Sequence, residues 1–158
     1  MAIAIPALHP SSKSKVKGGA VVFISRRKDI AHTGEFEIKI SVAFDPLTMD
    51  YPAGTISIKT NLSDSAKGVF TATSIEIINS FGKHTPTIFL TGRCTLKLSE
   101  DIARPKGCRY WLMIADNRGV EGRGTPDIVG FAIHDRVGNR VAYGTGTVIK
   151  GDIIVDPA

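Results

Sequence analysis

Between positions 116 and 127 stand four side chains that carry hard oxygen ligands: Asp116, Asn117, Glu121 and Asp127. Carboxylate and amide oxygens are what calcium takes. The stretch IADNRGVEGRGTPDIVGFAIHD, Ile114 to Asp135, is therefore a candidate calcium loop. Its spacing is not the alternating D-x-D-x-D-G of an EF-hand. Short acids at strand ends also accept hydrogen bonds from loop amides. That second reading makes the stretch a hairpin connection and is the expectation adopted, with no metal and no cofactor. Gly119, Gly122 and Gly124 permit positive φ, Pro126 stiffens the return, and Asp127 opens the next strand. Arg118 and Arg123 alternate with glycines, but no aromatic side chain lies between them to stack on a base.

Other chemistry is hard to assemble. His9, His32, His84 and His134 are not spaced from one another or from a cysteine as metal ligands are. There is no G-x-S-x-G elbow and no H-E-x-x-H helix. A phosphate loop needs a following Lys-Ser/Thr and a helix, whereas Thr125-Pro126-Asp127 leads into a strand. Gly144-Thr145-Gly146 opens no helix either. The expectation is a protein that is not an enzyme.

Charge is distributed unevenly. The net charge of +5 sits in residues 1–30, where Lys13, Lys15, Lys17, Arg26, Arg27 and Lys28 face the single anion Asp29; beyond them the charges balance. These six cations are candidates for contact with a polyanion, either nucleic acid or an acidic polysaccharide. Residues 1–19, rich in Pro, Ser, Lys and Gly, read as an extended basic arm ahead of a domain over 20–158. Within the arm, Ala2, Ile3, Ala4 and Ile5 are apolar enough to add as a strand to a neighbouring subunit. The start MAIAIPALHP has no basic n-region and a short apolar run broken by Pro6, so the expectation is a cytoplasmic chain as written, and an extracellular one if a leader has been removed. No stretch approaches the roughly 20 apolar residues of a membrane helix.

The elements that must position these residues are strands. Glu35 to Phe44 puts Phe36, Ile38, Ile40, Val42 and Phe44 on one face and Glu35, Glu37, Lys39 and Ser41 on the other. Noisier runs follow the same alternation at 20–25, 54–60, 68–78, 87–99, 108–115, 127–134, 140–148 and 152–155. Asp45–Gly54, Asn79–Pro86, Ser99–Gly107, Arg136–Asn139 and Lys150–Asp152 carry turn chemistry. Gly92 inside its run predicts a bulge. About nine strands without an amphipathic helix predict an all-β antiparallel sandwich of jelly-roll type.

Two further features bear on assembly. Tyr110 and Trp111 are neighbours on one strand, so one of them must leave the core face. A loop or the arm would cover it; uncovered, it would stack on a sugar or anchor a partner. Cys94 and Cys108 are expected as two thiols, because pairing Thr91–Ser99 with Cys108–Ala115 puts Cys94 opposite residues near Met113.

The C-terminal half has a recognisable order: Asp116-Asn117, Gly119, Gly122, Asp127 and a strand, Gly138-Asn139, Val141-Ala142-Tyr143-Gly144, then Gly151-Asp152-Ile153. Upstream come Gly18-Gly19, a phenylalanine-rich strand and the G-x-I-x-I of Gly54 to Ile58. Over residues 18–155 the chain resembles the post-COAP type of β domain found in bacterial surface and secreted proteins. That resemblance implies a non-catalytic module and an extracellular setting. The functional expectation is a structural or interaction module that self-associates or binds another protein without entering a membrane, as in a surface, filament or particle assembly. The alternative is a polyanion-binding or coat-type protein acting through the basic arm.

Overall fold

The computed structural model describes residues 13–24, 34–62, 67–82, 86–98, 106–117 and 126–157. Among them are nine strands and no helix: β1 (Ser14–Ile24), β2 (Gly34–Phe44), β3 (Ala53–Leu62), β4 (Gly68–Ala72), β5 (Ile77–Phe81), β6 (Thr87–Leu98), β7 (Lys106–Ala115), β8 (Ile128–Asp135) and β9 (Arg140–Pro157). Alternation sets them. On β2, Phe36, Ile38, Ile40, Val42 and Phe44 are all buried and the residues between them are exposed.

Consecutive strands pair antiparallel except β4 and β5, which both pair with β6, and β9 returns to β1. β4 pairs with both β3 and β6, which closes the sheet. The result is an eight-stranded up-and-down barrel of β1, β2, β3, β4, β6, β7, β8 and β9, rather than the expected jelly-roll sandwich. An alternating sequence fits both architectures, because both bury one face of every strand. What separates them is strand order, which here follows the meander except that β4 pairs with β6 and β5 stands beside the closed ring.

The interior is filled by side chains, as in other small barrels. Phe36 of β2 and Phe131 of β8 meet edge to face with ring centroids 4.7 Å apart. Ile38, Ile88, Leu90, Leu112, Ile133 and Ile153 are fully buried around them. The alternation is apolar inward, the reverse of a barrel that faces lipid. No helix of the described residues is long and apolar enough to cross a membrane.

Three local features depart from the sequence reading. β1 begins at Ser14, so Lys15 and Lys17 lie on a paired strand with their side chains exposed. Lys150–Asp152, read as a turn, is a kink inside the single strand β9. There the register against β1 shifts at Val21/Val22, and Gly151 adopts φ +87° with Gly19 packed so close that a Cβ would clash. The run at 68–78, read as one strand, is interrupted between β4 and β5, where Thr73 to Glu76 stand opposite Gly92 and Arg93. The irregularity that Gly92 signals therefore belongs to the neighbouring strand: β6 passes through Gly92 in unbroken register with Tyr110.

The cysteines are bridged, contrary to the expectation of two thiols. Cys94 and Cys108 are direct cross-strand partners with Cα atoms 4.9 Å apart, within the span a disulfide needs. The sequence reading misplaced the register of β6 on β7, because the connection between them does not fix it.

Candidate functional site

The acid stretch was the first candidate. The structure brings Asp116, Asn117 and Asp127 together, but sets both carboxylates on backbone amides and the Asn117 amide on a backbone carbonyl. Asp127 Oδ1 accepts the Asn117 N–H at 3.0 Å, and Asn117 Nδ2 donates to the Pro126 carbonyl at 2.7 Å. Asp116, buried, accepts the Val155 N–H at 3.0 Å and so ties the end of β7 to β9. Burial first, then the negative charges of Asp116 and Asp152, push the Asp127 carboxyl up to about 6; the Asn117 N–H opposes them. Among the described residues no group of three or more His, Cys, Asp or Glu side chains is placed to hold a metal ion. Glu121 lies outside the described residues.

The basic candidates divide. Lys13, Lys15 and Lys17 are exposed where β1 begins, and Lys15 stands opposite Asp156 of β9. Arg26, Arg27 and Lys28 lie outside the described residues, as do the subunit-contact candidates Ala2, Ile3, Ala4 and Ile5 and three of the histidines. His134 is half-buried on β8, opposite Arg109.

A surface that the sequence reading did not assemble is more distinctive. Of the neighbours Tyr110 and Trp111, Tyr110 points inward and is buried, and Trp111 points outward at 40% exposure. Its indole is 5.9 Å from the ring of Phe89 on β6, which lies 5.8 Å from the ring of Phe81 on β5. Register explains the row. Thr91 sits opposite both Ile77 and Trp111, and Phe89 opposite both Asn79 and Met113. Odd-numbered residues of three adjacent strands thus share one outer face. Phe81 and Ile77 are exposed by 53% and 62%, and Met113 and Phe89 are half-buried beside them.

One border of this face is cationic. Arg93 and Arg109 flank Glu76, at 3.6 and 2.8 Å, and Arg140 lies over the Tyr143 ring at 3.7 Å. The opposite wall differs in kind. There the outward residues of β2 are Glu35, Glu37, Lys39, Ser41 and Ala43, and those of β3 include Thr55, Lys59 and Asn61. Both walls bury the same apolar interior, so folding alone does not require the aromatic one to be apolar outside.

Comparison of the chain with protein-family models, with curated proteins and with solved structures finds no match.

The aromatic row can exclude water from a partner. Monomeric proteins seldom expose contiguous aromatic surface, and interfaces are enriched in Trp, Tyr, Phe, Met and Arg while their cores are poor in charge. A sugar platform needs hydrogen-bonding groups between its rings to orient the hydroxyls; here Asn79 and Thr91 stand among Ile77, Met113 and Ala132 on the same face, so hydrogen-bonding groups are few but present. The signal in the sequence was the odd-position aromatics Phe81, Phe89 and Trp111. They become one feature only once the strand registers are known.

Proposed function

We propose that this protein is a non-enzymatic interaction module of an assembly, docking a protein partner through the outer face of β5, β6 and β7. The observation that carries the reading is the exposed Phe81–Phe89–Trp111 row on a barrel whose opposite wall is polar. The filled interior supports it too, since Phe36 and Phe131 occupy the space where ligand-carrying barrels hold their cargo. The resemblance to post-COAP-type surface domains agrees in class, as those are read as non-catalytic modules.

The experiment is site-specific photo-crosslinking in the cells that make the protein. A photoreactive phenylalanine analogue replaces Phe89 in one variant and Ser41, on the polar wall, in another. Protein adducts at position 89 and none at position 41 support the reading. Equal yields at both positions, or no adduct at 89, overturn it.

A second reading keeps the basic candidates. Lys13, Lys15 and Lys17 alternate on one exposed side where β1 begins, an arrangement that suits contact with a polyanion. With no aromatic among them to stack on bases, such binding would be electrostatic and would weaken steeply with salt.

A further inference from the structure

We infer that this chain also pairs with a second copy of itself, antiparallel along β5 with Asn79 on the two-fold axis. The inference goes beyond the docking reading above, because pairing at the edge leaves the outer face around Trp111 open to its own partner.

β5 stands at one end of the strand order and pairs with β6 alone. Where β4 has β3 on its other side, Ile77–Phe81 form no backbone hydrogen bond beyond those to β6 among the described residues. An unpaired edge exposes amides and carbonyls that another extended strand can take up, and soluble proteins usually protect such edges with Lys, Pro or a bulge. IINSF contains no charge and no proline.

The strand is self-complementary. With Asn79 opposite its own copy, Ile77 faces Phe81 of the second chain on the outer side, twice by symmetry, as an isologous contact requires. On the inner side Ile78 faces Ser80, whose hydroxyl is hydrogen-bonded to that of Ser14 where β1 begins, so β1 abuts this end of the edge. The two aromatic rows then join across the axis into one surface. Charge agrees with this choice. The chain carries +5 overall, yet Ile77, Asn79, Phe81, Thr87, Phe89 and Thr91 bring no charge against themselves. Two copies can approach along this edge without the repulsion that cationic surfaces would impose.

The test is light scattering after size exclusion over a concentration series, combined with hydrogen–deuterium exchange. It compares the full chain, a chain lacking residues 1–12, and the Ile77→Lys/Phe81→Lys variant. Both substituted side chains are exposed, so the barrel should keep its melting temperature. The expected result is twice the 16.9 kDa chain mass for the full chain, and twice its own smaller chain mass for the shortened one. The double-lysine variant is expected as a monomer, and the amides of Ile77–Phe81 should exchange at least tenfold more slowly as the parent protein associates. A monomeric full chain at every concentration overturns the pairing, as does a dimer indifferent to the two lysines. A dimer lost with residues 1–12 while β5 exchange stays unchanged also overturns it, and moves the contact to the arm. Should the lysine variant unfold, β5 exchange in the unmodified protein decides alone. Crosslinks at position 89 to a different protein, with a monomer in solution, would leave the docking reading standing and remove only the second copy.

Discussion

The Tyr110 hydroxyl donates to the Ser74 carbonyl at 2.9 Å, across the space left by Gly92. Ser74 lies in the interruption between β4 and β5, where the ladder to β6 loses its regular pairs. The interruption is held by this bond together with the Arg93 N–H, which reaches Ser74 Oγ at 3.0 Å. Burial, and secondarily the charge of Glu76, hold the Tyr110 hydroxyl above the usual phenol range, so it remains a donor at any physiological pH.

Tyr110→Phe should therefore leave the Ser74 carbonyl without this donor and cost about 1–2 kcal/mol. Gly92→Ala should cost more, about 2–3 kcal/mol, because a Cβ there would overlap the same carbonyl. Urea denaturation of the two variants checks both values. A Gly92→Ala protein as stable as the parent would show that the interruption is not packed as described.

The alternation on β2 gives a second pair. Ile40 is buried and its neighbour Ser41 exposed. Ile40→Ala should cost about 2–4 kcal/mol and Ser41→Ala under about 0.5 kcal/mol. Equal costs would contradict the facing of the strand.

The Cys94–Cys108 bridge joins residues 14 positions apart. Closing a loop of that size is expected to stabilise the fold by about 3 kcal/mol. Reductant should lower the denaturation midpoint of the parent protein, and the Cys94→Ala/Cys108→Ala variant should lie near the reduced parent and ignore reductant. A parent protein indifferent to reductant would contradict a formed bridge.

Asp127 should make stability fall as pH rises. Its carboxyl is raised from an ordinary 3.8 to about 6, so between these values the folded protein keeps a proton that the unfolded chain has lost. The folded state thus binds more protons, and stability declines across that window and stays lower above it. Asp127→Asn keeps an acceptor for the Asn117 N–H and removes the charge. It should melt above the parent at pH 7.5, with the gap closing near pH 4. A gap that is the same at both pH values would contradict the assignment.

Much of the fold was legible because it follows from period-two patterning. Phe36 to Phe44 betrayed both the strand and its buried face, and the adjacency of Tyr110 and Trp111 required one ring to face outward. Asp45 and Asp135 cap their turns as their types suggest: Asp45 Oδ1 accepts the Leu47 N–H, and Asp135 Oδ1 accepts those of Val137 and Asn139. What depends on register was not legible. Cys94 meets Cys108 only in one alignment of β6 on β7, and the alternation of the two strands does not single that alignment out. Gly151 reads as a turn glycine, yet its positive φ serves a kink within one strand. Closure through β4 and β6 leaves no mark on either strand. The docking face was hidden for the same reason, since Phe81, Phe89 and Trp111 are dispersed until three registers align them.

A protein partner docked on the outer face around Trp111 would change the surroundings of its indole. Trp111 is the single tryptophan of the chain, so biosynthetic 5-fluorotryptophan gives one fluorine resonance from that face. The decisive measurement is this resonance in dilute purified protein and in the native assembly isolated from the cells that make it. A control carries the label at position 41 in a Ser41→Trp/Trp111→Phe chain. Docking predicts a shifted resonance at 111, shielded from solvent isotope effects in the assembly, while the signal at 41 keeps its solvent-exposed shift. A resonance at 111 that stays solvent-exposed in the assembly, or moves no more than the one at 41, would contradict the account.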